Sequence, residues 1–228
     1  MSNRKQQTPS SQLNRRRATA LTKDSPEYTS RRQEIIDAAA SIFGKEGYDG
    51  TSLADIAKAM GSDRATIYYY ISSKEELLRE ICSSALDANL TATEEIAARD
   101  TSAIEKIRQV IAHHIAVNAH VPRWSVLVQE TRRLAEADTD WASEEIARMR
   151  RYEGFLMHIL EEGIADGSIR EDVPPRLAMN AIFGMLNATS RWWNPEGQYD
   201  AQDLSTAFAA IAIEGLAGVD DRRAAAAT

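Results

Sequence analysis

The chain has 228 residues, 43% of them hydrophobic and 27% charged, with a formal net charge of −7, which is ordinary for a globular protein and long enough for one small domain beside a larger one. A single cysteine, Cys82, excludes an intrachain disulfide and fits a reducing, cytoplasmic setting. No run approaches about 18 apolar residues, so neither a membrane-spanning helix nor a membrane partner is expected.

The charge is unevenly placed. Residues 1–32 carry eight basic side chains (Arg4, Lys5, Arg15, Arg16, Arg17, Lys23, Arg31 and Arg32) against Asp24 and Glu27, a net +6 that leaves −13 for the remainder. No apolar stretch follows Arg4 and Lys5, so this is not a secretory signal. Its Ser, Thr, Gln and Asn content cannot build a core, and residues 1–30 are expected to form a disordered basic arm able to meet phosphates.

Residues 51–78, TSLADIAKAMGSDRATIYYYISSKEELL, carry the most information. Thr51 or Ser52 can cap a first helix, on which Leu53, Ile56, Ala57 and Met60 share one face. Gly61 ends that helix, Asp63 caps a second over residues 64–70, and Ser73-Lys74-Glu75-Glu76 forms a capping box for a third. Helix, short glycine turn and helix is the arrangement by which many proteins enter the major groove of DNA. Arg64, Thr66, Tyr69 and Lys74 can donate to phosphates or base edges, Ala65 permits close approach, and Ile67, Ile71 and Tyr68 are expected to face inward. Three consecutive tyrosines are unusual for a purely structural element, so Tyr69 and Tyr70 are placed on the reading face.

From about residue 31 to residue 78 the chain resembles the N-terminal domain of the TetR family of bacterial transcriptional regulators. The resemblance runs through Ile35-Ile36-Asp37-Ala38-Ala39, Phe43, Gly47-Tyr48, Thr51-Ser52, Asp55-Ile56-Ala57, Gly61, and Tyr68-Tyr69-Tyr70 followed by Lys74-Glu75-Glu76-Leu77. Ser62, Asp63 and Ile71 depart from the family's usual residues. The charge of Asp63 would sit near phosphates, so it reads as a cap and not as a DNA contact. The resemblance implies double-stranded DNA as partner, with Thr51, Ser52, Arg64, Ala65, Thr66, Tyr69, Tyr70 and Lys74 at the DNA.

Beyond residue 74 helix follows helix: 74 to about 99, 102–119, one from near Pro122, 139–165 ending at Gly167, one opened by Pro174-Pro175 and running to Trp193, and 200–217. No alternating strand pattern appears. The fold class is all-α, a three-helix helix-turn-helix domain over residues 31–78 plus a helical effector-binding and dimerisation domain over 79–218, with a frayed tail at 219–228.

The last two helices are nearly uncharged. LAMNAIFGMLNATS (177–190) and LSTAFAAIAIEGLA (204–217) contain Glu214 as their one charged residue. A helix apolar around most of its surface needs burial on several sides, which suggests a second copy of the chain. The resemblance implies a homodimer through these helices, and Phe183, Leu186, Phe208 and Ile211 are the interface candidates.

Large or polar groups on otherwise apolar helix faces are the candidates for an effector pocket: His113, His114, Trp124, Gln129, Trp141, Arg151, Phe155, His158, Met185 and Asn187. Adjacent histidines diverge by about 100° on a helix, so His113 and His114 do not form a metal site. A second stretch, residues 161–170 and Arg191-Trp192-Trp193-Asn194-Pro195-Glu196-Gly197, resembles TetR-family regulators of fatty-acid or steroid catabolism. Several of those bind acyl-coenzyme A thioesters, which implies a small hydrophobic effector such as an acyl-CoA, with Arg148, Arg150, Arg151 or Arg191 at its phosphates. No nucleotide-binding glycine loop, G-x-S-x-G, H-E-x-x-H or cysteine pair is present. The expectation is thus a non-enzymatic, ligand-responsive regulator without cofactor; a non-specific architectural DNA-binding protein and a helical enzyme acting on thioesters are the alternatives.

Overall fold

The computed structural model describes residues 25–119 and 123–216, and the elements formed by these residues are all α-helical. In chain order they are α1 (Pro26–Glu46), α2 (Leu53–Ala59), α3 (Arg64–Tyr70), α4 (Lys74–Ala97), α5 (Ala103–Asn118), α6 (Arg123–Glu136), α7 (Asp140–Ala165), α8 (Pro175–Trp192) and α9 (Ala201–Leu216). No helix among the described residues is long and apolar enough to cross a membrane. Most of the basic arm, the tail and Pro122 lie outside the described residues.

Short polar residues start the helices. The side chains of Ser25, Ser52, Asp63, Ser73 and Ser102 each accept from a backbone N–H in the first turn that follows. Ser52 and Asp55 close a full capping box. Gly61 and Gly167 turn the chain at φ +60 and +81, which L residues with a Cβ rarely adopt.

The arm boundary shifts from its expected place. Residues 26–30 belong to α1, because Ser25 caps that helix and Tyr28 is buried, its ring 4.9 Å from that of Tyr70 and 5.9 Å from that of Tyr69. Arg32 is likewise no arm residue: it pairs with Glu76 at 2.8 Å and Glu80 at 3.0 Å on α4.

α4 is the spine. Its first turn packs with α1, and its length is sandwiched between α5, α6 and α7. Leu77, Leu78, Ile81, Cys82, Ala85 and Leu86 bury one broad stripe. α6 touches α1, α4, α7 and α8, so it spans both parts of the molecule. α9 rests mainly on α5, burying Leu204, Ala209, Ala212 and Leu216.

Candidate DNA-reading surface and effector cavity

α3 is anchored from below by Ile67 and Ile71, both fully buried, and its N-terminal end is fixed by Asp63, whose carboxylate accepts from Thr66 N–H at 2.7 Å. That hydrogen bond holds the Asp63 carboxyl below its usual range, so the cap stays ionised. The outward face carries Arg64, Ala65, Tyr68 and Tyr69, all exposed, with Thr66 half-buried. Arg64 donates to the Tyr68 hydroxyl at 3.0 Å and its guanidinium sits 5.2 Å from the centre of that ring.

Four residues stand otherwise than expected. Tyr68 is 45% exposed and faces outward, because the buried stripe of so short a helix is filled by Ile67 and the Ile71 that follows it. Tyr70 turns back against Tyr28 and Tyr69, bracing α3 on α1. Thr51 is buried with its hydroxyl donating to Gly47 O at 2.9 Å, so the cap falls to the exposed Ser52 and Thr51 is not on the surface. Lys74 is half-buried: Nζ donates to the carbonyls of Tyr48 at 2.9 Å and Thr51 at 3.0 Å and stands 4.2 Å from the Tyr48 ring. It thereby ties the first turn of α4 to the loop before α2. Ser52, Arg64, Tyr68 and Lys74 line one shallow groove along this surface.

In the larger helical part, His114, Trp124, Tyr152 and Phe183 form a connected aromatic cluster from α5, α6, α7 and α8, with successive ring centres 4.9, 5.3 and 5.1 Å apart. His114 Nδ1 lies 3.2 Å from the Tyr152 hydroxyl, and full burial pushes its pKa down to about 3, so the ring is neutral. Trp124 Nε1 donates to Asn187 Oδ1 at 2.7 Å. Beside this cluster lies a cavity of about 450 Å3 walled by Trp124, Val128, Met149, Tyr152 and Phe183, with Thr131, Glu153, Asn180 and Asn187 as its polar lining. A second, of about 260 Å3, adjoins His114, Trp124 and Asn187 on the other side.

Of the pocket candidates, His114, Trp124 and Asn187 converge here. The others line neither cavity. Gln129 is exposed; Trp141 reaches Glu75 at 3.3 Å at the α4–α7 edge; Arg151 pairs with Glu94 at 2.5 Å and lies over Phe155; His158 meets Glu162 at 3.3 Å; Met185 packs on the core; His113 meets Ala88 O at 3.0 Å. Tyr152, Phe183 and Met149 were not foreseen as lining. Tyr152 sits in the arginine-rich run ARMRRYEGF, where one aromatic ring gives no period of its own. No cluster of three metal-ligating side chains occurs among the described residues.

Two interface candidates are corrected. Phe183 and Leu186 are 9% and 1% exposed and belong to the chain's own core, Phe183 with its ring 5.1 Å from that of Tyr152 on α7. The outer faces carry other residues: Leu177, Ala181, Gly184 and Trp192 on α8, and Ala207, Ile211 and Gly215 on α9 are exposed, with Phe208 half-buried 6.3 Å from the Trp192 ring.

A helix-turn-helix with an outward Arg, Thr and Tyr face, joined by a long helix to a helical domain with an open cavity, is the arrangement of a helix-turn-helix transcriptional regulator. Residues 35–81 match the model for bacterial regulatory proteins of the tetR family, and residues 100–216 match a tetracyclin repressor-like C-terminal domain. The chain belongs to the TetR family. It is 30% identical to the fatty acid metabolism regulator protein of Bacillus subtilis, over 80% of this chain and 94% of that one. It is 28% identical to the HTH-type transcriptional repressor KstR2 of Mycolicibacterium smegmatis, over 82% and 91%. The structure of the ketosteroid transcriptional regulator KstR2 of Mycobacterium tuberculosis aligns with a TM-score of 0.75 at 26% identity, covering 82% of this chain and 95% of that one.

Proposed function

We propose that the chain is a dimeric cytoplasmic repressor that binds a palindromic operator and releases it when a hydrophobic, acyl-CoA-type effector enters the aromatic cavity. The observation that carries this reading is α6. One face of the helix supplies Trp124 and Val128 to the cavity wall. The same helix reaches the DNA-reading part through two ion pairs, Arg123 with Asp37 on α1 and Arg133 with Asp49 in the loop before α2. Arg133 also stands 5.0 Å from the Tyr48 ring that Lys74 braces. A ligand that displaces Trp124 therefore acts on a helix clamped to the reading head. It shifts the DNA-competent population by its difference in affinity for the two states, and by no more.

The relatives named for fatty-acid metabolism and ketosteroid regulation support an apolar effector, as does the aromatic wall. The exposed apolar faces of α8 and α9 support a second copy as the partner, since isolated patches of that kind mark interfaces. Two α3 helices would then enter successive major grooves about 34–36 Å apart, or a multiple of that.

Selection from a random DNA pool tests the DNA half of the reading. The expected product is an inverted repeat bound by two chains. Equal retention of all sequences would instead favour the non-specific architectural protein.

A further inference from the structure

We infer that Tyr68 is a positioning residue for DNA reading: it holds the Arg64 guanidinium in a fixed pose on the outward face of α3, and the two side chains act as one unit that selects guanine. This rests on the sequence-specific DNA-binding reading above. Arg64 opens α3 and Tyr68 follows four residues on, so the pair shares one face of the helix, one turn apart. Two contacts join them. Arg64 Nη2 donates to the Tyr68 hydroxyl oxygen at 3.0 Å, and the guanidinium carbon stands 5.2 Å from the centre of the ring. Both side chains are exposed, and both line the groove that also includes Ser52, Leu53 and Ala54 at the start of α2.

The carboxylates at the starts of α2 and α3 are spent on their own helices. Asp55 accepts from the backbone and hydroxyl of Ser52, and Asp63 accepts from the Thr66 N–H. Arg64 takes part in no ion pair among the described residues. Tyr68 is therefore the contact that sets where its guanidinium points.

An arginine side chain has many rotamers to lose when it docks. The hydrogen bond and the ring narrow them before DNA arrives, which lowers the cost of docking. Tyr68 takes one N–H and leaves a fork for the O6 and N7 acceptors of guanine, the major-groove pattern that arginine matches best. The Tyr68 hydroxyl accepts from Arg64, so its own proton stays available to a phosphate. A phosphate contact by Tyr68 alone is the competing account. The two differ in consequence, because a phosphate contact carries no base preference.

The experiment uses the full chain and an operator selected from random DNA, with every base pair of one half-site replaced in turn. Affinities are measured for wild type, Tyr68→Phe, Arg64→Ala and the double variant. Tyr68→Phe keeps the ring in an exposed place and removes only the hydroxyl, so the melting temperature should hold. Arg64→Ala should abolish the preference for G·C at one position of the half-site. Tyr68→Phe should reduce discrimination about fivefold at that same position and at no other, the worth of one hydrogen bond. In the Arg64→Ala background the loss of the hydroxyl should add nothing, the non-additivity expected of a coupled pair. Equal weakening of every operator by Tyr68→Phe, an effect that persists without Arg64, or no effect at all overturns the inference while the DNA-binding reading stands. So does an Arg64 position that prefers A·T, or none that depends on Arg64. Failure of wild type to select any sequence overturns both.

Discussion

Lys74 stands at the first turn of α4 with its amine on two carbonyls, so its charge braces the loop before α2 from within. Lys74→Met should therefore lower the melting temperature, each charge-assisted bond contributing about 1.5–3 kcal/mol net of hydration, and weaken all DNA sequences alike. Arg64→Ala should act differently. Arg64 is exposed on α3 and, among the described residues, its side chain bonds to Tyr68, so its loss should relax base preference at one position and cost about 1–3 kcal/mol there; measured affinities for operators mutated base by base distinguish the two variants. His114 carries a pH signature. Its folded pKa of about 3 lies below the ordinary value of 6.5. Above 6.5 both folded and unfolded forms are neutral and the group adds no pH dependence. Between 6.5 and 3 the unfolded chain binds the extra proton, so stability falls with pH by up to about 1.4 kcal/mol per unit from this group. Denaturant midpoints of wild type and His114→Gln at pH 7 and pH 5 should show the steeper loss in wild type. At this scale the sequence was informative where a residue's role is local, as with Ser52, Asp63 and Gly61. It was misleading where the role depends on tertiary packing: Thr51 read as a cap at the DNA and Lys74 as a surface donor, and both find carbonyls in the α1–α2 connection.

The helices themselves were legible almost throughout, because each has an apolar stripe at helical spacing and a serine, aspartate, proline or glycine at its ends. What the pattern did not reveal is which stripe of α8 meets which neighbour. α8 is apolar on two faces, and only packing shows that Phe183 and Leu186 point to the chain's own core while Leu177 and Trp192 stay outside. Ile211→Glu is the clean probe of the α8–α9 face, since Ile211 is 61% exposed and the chain can fold without burying it. The expected product is a folded monomer by sedimentation, with weakened operator binding; a folded dimer of unchanged affinity would place the interface elsewhere. α6 is the element that joins cavity and reading head. Arg133→Met should change operator affinity little, because exposed ion pairs contribute about 0–1 kcal/mol, yet it should raise the effector concentration needed for release, read from DNA-binding curves at fixed effector. Removing residues 1–24 should leave the fold intact and reduce the slope of log affinity against log salt, as the six basic side chains of that segment are lost.

Across the whole molecule, α4 and α6 run from the DNA-reading part into the cavity domain, so a change at Trp124 has a short route to Asp37, Asp49 and Tyr48. The all-α architecture and the bounds of the second helix of the helix-turn-helix followed from the sequence because helix-turn-helix chemistry is compressed into residues 51–78. The cavity did not, because its walls come from α6, α7 and α8, and no local spacing records that Trp124, Tyr152 and Phe183 meet. The measurement that bears most directly on the account is fluorescence anisotropy of a selected palindromic operator with the wild-type chain, titrated with acyl-CoA thioesters of increasing length, free coenzyme A and the matching acids. Anisotropy should fall to that of free DNA with a thioester whose chain fills the aromatic cavity, and free coenzyme A should leave the complex intact. A complex that survives every soluble thioester at saturating concentration would contradict the account.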